Sequence, residues 1–415
     1  MSAVLVPQHF GSLLFERSTS RYLPFDAEST AVLEQLATTP VYDLVDASDP
    51  RDRPAVTGVF EALELRGHAT LDGRLDLTRL DVVPPASHLT GPLAVHLEVM
   101  GACNLACTHC FAMPLPRHRN PLALHELDDL FAQLAALGSF RLGLTGGEPL
   151  LRRDLLDVLD AALAHGLHPC LTTNALLLDE AMARALGERD LVWLNVSLEG
   201  ADAATNDPVR GDGTFDAVCE KLRMLGRHAR FTLAFTLTDA NHAQAERAAR
   251  LARELGAHTA VFRPLYPVGA AGTAQMPSFA DYSHALEGLS ACGDLGAIDP
   301  FAPTSRVATQ ARTYTGPGCG AANLVASIDI QGAVNPCSFL GSETVGGNVR
   351  DRPFREIWDD SEAFRRLRAP SQNGFRGGCR ARAKAFSGDL DGPDPWFDAW
   401  EAGRGRHPLA NVEVG

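Results

Sequence analysis

Positive charge is scarce in this chain of 415 residues: 37 Lys and Arg face 51 Asp and Glu, a formal charge of −14. Phosphate backbones are held by clustered Lys and Arg, so this balance argues against a broad nucleic-acid surface. A secretory signal is also missing. The opening MSAVLVPQHFGSLL has neither a basic segment nor a long apolar run, and no stretch reaches the length that spans a bilayer. Without an export signal, nine cysteines imply a reducing compartment, where metal binding or catalysis outranks disulfide formation. The expectation is a cytoplasmic protein with neither membrane nor nucleic acid as partner. Low-complexity segments and short repeats are absent too. A content of 45% hydrophobic and 21% charged residues is that of a globular chain, long enough for more than one domain.

The most telling absence is a fourth cysteine. ACNLACTHCF, residues 102–111, offers Cys103, Cys107 and Cys110 as C-x3-C-x2-C, and no further cysteine follows until Cys170. Iron–sulfur clusters are normally held by four thiolates, and a cluster held by three keeps one iron open. A methionine-type amino and carboxylate pair chelating that iron places a sulfonium beside the cluster. One electron then cleaves a carbon–sulfur bond and leaves an organic radical. The competing readings are a zinc site and three packing thiols.

Patterning divides the chain. Residues 1–82 form a small unit in which SLLFER and RYLPF flank STS like a hairpin. AESTAVLEQLAT reads as a helix behind Asp26, VFEALELRG as another, and HATLDGRLDL as a second ribbon. Residues 83–92, with PPASHLTGP, read as a linker. Over 93–275, AVHLEVM, RLGLTG, HPCLTT, LVWLNVSL, FTLAFTL and TAVFRPL alternate with helical stretches. Six such β/α repeats imply a parallel sheet, curled or open. The periodicity fades through a connecting segment, 276–310. A glycine- and proline-rich region, 311–400, carries Cys319, Cys337 and Cys379 ahead of a tail, 401–415.

The three cysteines follow the first strand of this series, and CNLACTHC matches the C-x3-C-x2-C motif of the radical S-adenosylmethionine (SAM) enzymes, which the chain resembles. The resemblance implies an α/β fold with a partial (β/α)6 barrel, one [4Fe–4S] cluster on Cys103, Cys107 and Cys110, and SAM as cofactor. LTGGEPLL follows the second strand, where the family has its GGE motif. By analogy Gly146, Gly147 and Glu148 contact the methionine amino group. Thr173 and Asn174 end the third strand. Ser197 and Arg210 resemble the contacts to SAM ribose and carboxylate, and His109 packs on the cofactor. RPLYPVG resembles the segment passing the adenine, though Arg263 and Tyr266 read equally well as structural. No catalytic acid or base is identified.

GCGAANLVASIDIQGAVNPC sets Gly332 five residues before Cys337, with Cys319 upstream. GNV, FREIWDDSEAFRRLR, GGCRARAKAFSGDL and GPDP follow in order. This succession resembles the C-terminal SPASM domain of radical SAM maturases, which houses auxiliary clusters. Of the family's C-x2-C-x5-C-x3-C block only Cys379 remains, and Phe397 stands where a cysteine usually follows the DP pair. The departures imply one auxiliary [4Fe–4S] cluster on Cys319, Cys337 and Cys379, as in the shortened twitch version. Its fourth ligand is open: a peptide group, a water, or a protein ligand such as Cys292. The cluster serves either electron transfer and substrate or the fold alone. Cys170 and Cys219 read as core residues.

The front unit resembles a winged helix, but its seven Arg and no Lys against thirteen acidic residues oppose DNA binding. FGSLLFERSTSRYLPFDAESTAVLEQL is similar to the recognition domain of ribosomal-peptide modification systems, related to the peptide chaperone of pyrroloquinoline quinone biosynthesis. Such domains take a leader peptide as an added strand. The alternative is a domain that only caps the barrel. Together these resemblances imply a SAM-dependent radical maturase of a precursor peptide, reduced by a donor such as flavodoxin or ferredoxin. The alternative is a radical SAM enzyme acting on a small molecule or tetrapyrrole. Ser338 stands where related maturases place an acidic base.

Overall fold

The computed structural model describes residues 3–113, 120–290, 296–298, 319–371 and 374–403. Cys292 and residues 291–295 and 299–310 of the connecting segment therefore lie outside the described residues.

The front unit opens with an antiparallel meander, β1 (Ala3–Gln8), β2 (Gly11–Glu16) and β3 (Arg21–Asp26). β2 and β3 are the expected hairpin; β1 is an additional strand. Asp26 caps α1 (Ala27–Leu36), accepting from the Ser29 amide at 2.8 Å. α2 (Val41–Ala47) and α3 (Arg53–Glu64) follow. The expected second ribbon shrinks to one bridge, Ala69 to Leu75, and to β4 (Leu77–Arg79), which runs parallel to β1. The order is β3-β2-β1-β4.

Both faces of this sheet are covered. Successive strand side chains point to opposite faces; Ala3, Leu5 and Leu14 pack under the unit's own helices, whereas Val4, Val6, Leu13 and Phe15 join the core of the β/α region. Phe15 stacks on Phe140 at 4.7 Å, and the Tyr22 hydroxyl donates to Gly138 O at 2.7 Å. Of the segment expected as a linker, residues 83–88 are exposed or half-buried and only its end, residues 89–92, is buried. Thr90 Oγ1 donates to Pro7 O, and Trp358 Nε1 donates to Leu89 O, each at 2.8 Å.

The β/α series then runs β5 (Ala94–Met100), α4 (Leu124–Ala136), β6 (Arg141–Gly146), α5 (Leu155–Ala164), β7 (His168–Thr173), α6 (Glu180–Gly187) and β8 (Trp193–Ser197). It continues with α7 (Ala203–Arg210), α8 (Thr214–Leu225), β9 (Thr232–Leu237), α9 (Ala245–Glu254) and β10 (Thr259–Pro264). All six strands are parallel neighbours in chain order. On β5 the alternation sends Val95, Leu97 and Val99 into the core and leaves His96 and Glu98 on the opposite face.

The parallel sheet is wider than six strands. After α10 (Phe279–Ser290), β11 (Gly296–Ile298) pairs with β10, and β12 (Val325–Ile328) pairs with β5 at the other edge. β13 (Ala333–Asn335) and β14 (Gly347–Asn348) add an antiparallel extension, making ten strands among the described residues. Gly332, at φ +88°, makes the turn between β12 and β13. The chain closes with α11 (Phe354–Asp360), α12 (Glu362–Arg368), α13 (Arg380–Ser387) and α14 (Pro395–Ala402). Among the described residues no helix is long and apolar enough to cross a membrane.

Candidate active site

The C-terminal ends of parallel strands are where such sheets collect functional loops. Here they open into a cavity of about 300 Å³, lined by all six expected cluster cysteines. Gly146, Gly147, Glu148, Thr173, Asn174, Ser197, Arg210 and His109 line the same space.

The loop after β5 carries Cys103, Cys107 and Cys110. Gly147 N donates to Met100 O at 2.6 Å and Glu148 N to Ala102 O at 2.8 Å. A Cβ on Gly146, whose φ is +130°, would collide with Met100 O, and one on Gly147 with Ala102 O. The paired glycines thus seat the cysteine loop as well as facing the cavity. Gly269, at φ +68°, similarly admits the carbonyls of Cys110 and Phe111.

Burial pushes the Cys107 and Cys110 thiols above their ordinary value, so a positive centre is needed to hold them as thiolates. Among the described residues no three His, Cys, Asp or Glu converge on one metal ion; a cluster instead spreads its thiolates over separate irons. This donor set fits a three-thiolate cluster.

Glu148 is buried and held by three hydrogen bonds. It accepts from Thr173 Oγ1 at 2.6 Å, Asn174 N at 2.8 Å and Leu150 N at 3.0 Å. Burial raises its pKa against those bonds. Thr173 and Asn174 therefore position Glu148, and Asn174 Nδ2 also donates to Asn104 in the cysteine loop at 2.8 Å.

Glu199 was not singled out from the sequence. It lies two residues beyond Ser197 and accepts from Arg210 Nη2 at 2.9 Å, with His109 Nε2 3.5 Å away. Burial opposes its ionisation, but the charges on His109 and Arg210 outweigh burial and hold the carboxyl down at about 2. The buried Arg210 Nε and His109 Nδ1 have no partner. An unpaired guanidinium N–H in the cavity that holds these cysteines fits a carboxylate-bearing ligand such as SAM. The one available hint was a carboxylate, LEG, just past a strand end.

Cys319 precedes β12, Cys337 follows β13 and Cys379 caps α13. Asp394 of GPDP organises the last of these. It accepts from Cys379 N at 2.7 Å and pairs with Arg382 at 2.6 Å, both side chains wholly buried. Burial pushes the Cys379 thiol up to about 11. Phe397 packs on Gly377 and Trp400, filling with aromatic rings the place the resemblance gives to a further cysteine.

Rings join the two cysteine loops. Phe111 lies edge-on to Phe339 at 5.5 Å, and Phe339 stacks on Tyr266 at 4.4 Å. Ser338 meets His96 Nδ1 at 3.2 Å. Burial, aided by the charges of Arg263 and Arg141, lowers His96 to about 4, leaving a neutral imidazole at the cavity wall. Cys219 lies in the core, as expected. Cys170 faces the strands' interior side, where Asn195 Nδ2 donates to its sulfur at 3.2 Å. Burial holds that thiol at about 11.

Residues 97–267 match the radical SAM superfamily, and residues 319–381 match its SPASM iron–sulfur cluster-binding domain. The chain is 33% identical over 335 residues to the mycofactocin maturase MftC of Mycolicibacterium smegmatis, covering 76% of this chain and 85% of that protein. It is 31% identical over 371 residues to the PqqA peptide cyclase of Xanthomonas campestris (81% and 93%). Identity to the AdoMet-dependent heme synthase of Methanosarcina barkeri is 29% over 340 residues (74% and 96%). In fold it resembles Streptococcus suis SuiB, solved with S-adenosylmethionine (TM-score 0.73, 16% identity, 95% of this chain and 98% of that one). SuiB is also solved with its precursor peptide SuiA (TM-score 0.73, 15% identity, 95% and 97%).

Proposed function

Because this chain belongs to the radical SAM superfamily and carries a SPASM domain, with [4Fe–4S] clusters and SAM as cofactors, we propose that it matures a ribosomally made precursor peptide. The carrying observation is the single cavity that unites Cys103, Cys107 and Cys110 with Cys319, Cys337 and Cys379. Substrate held there lies between two redox centres. When bound, the reduced cluster and SAM supply a 5′-deoxyadenosyl radical that abstracts hydrogen from a substrate carbon.

In this reading Cys103, Cys107 and Cys110 hold the SAM cluster. Arg210, aimed by Glu199, takes the methionine carboxylate through its spare Nε. Gly146, Gly147 and Glu148 meet the amino group, Ser197 the ribose, and His109 packs alongside. Cys319, Cys337 and Cys379 hold one auxiliary cluster; the Phe397 packing supports one rather than two. A flavodoxin or ferredoxin supplies electrons. The front sheet ends in β3, whose outer edge is paired with no other strand among the described residues, and a leader peptide adds there as a further strand. The named activities of the mycofactocin maturase and the PqqA cyclase support the peptide reading.

The test is co-expression of the full chain with the peptide encoded by a neighbouring short gene, followed by mass spectrometry. The expected result is a mass change that disappears in Cys103→Ala. The heme synthase relative supports a second reading, a tetrapyrrole or other small-molecule substrate. An unaltered peptide, with 5′-deoxyadenosine formed only when a porphyrin is added, would establish that reading instead.

A further inference from the structure

A guanidinium taken out of water requires a partner, and four arginines of the described interior each have at least one. Arg152 meets Asp154 at 2.9 Å, Arg210 meets Glu199 at 2.9 Å, and Arg382 meets Asp394 at 2.6 Å. Arg368 donates to Ala322 O at 2.8 Å and lies over the Trp358 ring at 4.4 Å. Arg263, half-buried, is different. It projects from the end of β10 into the cavity, and its Nε is shut away from solvent without a hydrogen bond. Among the described residues it has no carboxylate, carbonyl or ring as partner.

Its surroundings narrow what it is for. It stands beside Thr236 in the β9–β10 register and shares the cavity with His96, Tyr266 and Phe339. The SAM carboxylate is already accounted for by Arg210 on the far side of Glu199. The remaining charged groups that line this space, Glu148 and Glu199, are acidic, so a dianion such as phosphate would find one cation and much repulsion. A planar guanidinium matches a single carboxylate through two parallel N–H bonds.

We propose that Arg263 is the docking point for a carboxylate of the substrate, seating it between the two cysteine triplets. This rests on the maturase reading and sharpens it: the peptide segment entering the cavity carries either an acidic side chain or its own C-terminal carboxylate.

The test uses full-length protein reconstituted with iron and sulfide, loaded with SAM, and three pools of short N-acetylated peptides in equilibrium dialysis. One pool is neutral with a free C-terminus, one is amidated with a single Asp or Glu, and one is neutral and amidated. The first or the second binds about tenfold better than the third, and which of them does so identifies the source. Arg263→Gln abolishes the preference and Arg263→Lys restores part of it, while the SAM-induced change in the cluster's electron paramagnetic resonance spectrum is unaltered. Should Arg263→Gln fail to take up clusters, the wild-type preference and the Lys variant carry the comparison. Equal binding of all three pools overturns the docking role and leaves the peptide reading standing. Arg263-dependent binding of a propionate-bearing porphyrin, with no peptide bound, does the reverse. Loss of the SAM signal in a cluster-loaded variant, or binding of neither ligand class, also overturns the proposal.

Discussion

Arg210 and His109 close on the same oxygen of Glu199, one at 2.9 Å and the other at 3.5 Å. The carboxylate therefore fixes the direction in which the guanidinium presents its spare N–H. Removing one member of a buried pair strands the other, at about 3–5 kcal/mol. Glu199→Gln should lower the stability of the metal-free protein by an amount in this range in urea titration. It should also weaken SAM binding about tenfold or more, whereas Glu180→Gln, at an exposed pair, should do neither.

Gly147→Ala puts a methyl group into Ala102 O, a backbone atom that cannot turn aside. The cysteine loop must shift, and cluster geometry tolerates little displacement. Iron and sulfide analysis after reconstitution should show the SAM-binding cluster lost and auxiliary iron kept; with the one auxiliary cluster proposed above, the iron falls by about half. Wild-type iron content in this variant would contradict the seating role of the glycine pair.

Asp394→Asn is its counterpart at the other triplet. It leaves Arg382 buried without an opposite charge and weakens the hold on the Cys379 amide. The expected outcome is loss of the auxiliary cluster alone, with SAM still cleaved by added dithionite and no peptide product formed.

Glu126 and Arg350 join α4 to the chain beyond β14 through two bonds of 2.6 and 2.9 Å. The Arg350 guanidinium, first, and the Ala123 amide hold the carboxyl at about 2. Because this pKa is depressed, the stabilisation is complete above the ordinary carboxylate value and drains away as pH falls toward 2. Partial exposure limits it to about 1–2 kcal/mol. Thermal unfolding of metal-free protein should show Glu126→Gln destabilised at pH 6, with the difference from wild type shrinking as pH is lowered below 4.

Legibility followed the range of the interactions. The cysteine triplets, the GGE turn and Arg210 were readable because cluster and cofactor chemistry confines them to short motifs at strand ends. Glu199 was not, since LEG alone looks like a turn and only the fold brings it to Arg210. Strand β1 escaped because AVLVPQ is covered on both faces and so lacks the alternation that marks a half-exposed strand. The pairing of β12 with β5, and the seat of Leu89 under Trp358, depend on segments far apart in the chain. No local pattern encodes them.

The double coverage of the front sheet bears on engineering. Excising residues 1–82 would bare Val4, Val6, Leu13 and Phe15 on one side and strip Phe140 of its stacking partner on the other. Swapping this module between enzymes would thus produce two sticky halves. Substitutions in this unit are better confined to the outer strand β3, with the apolar seam beneath it left untouched.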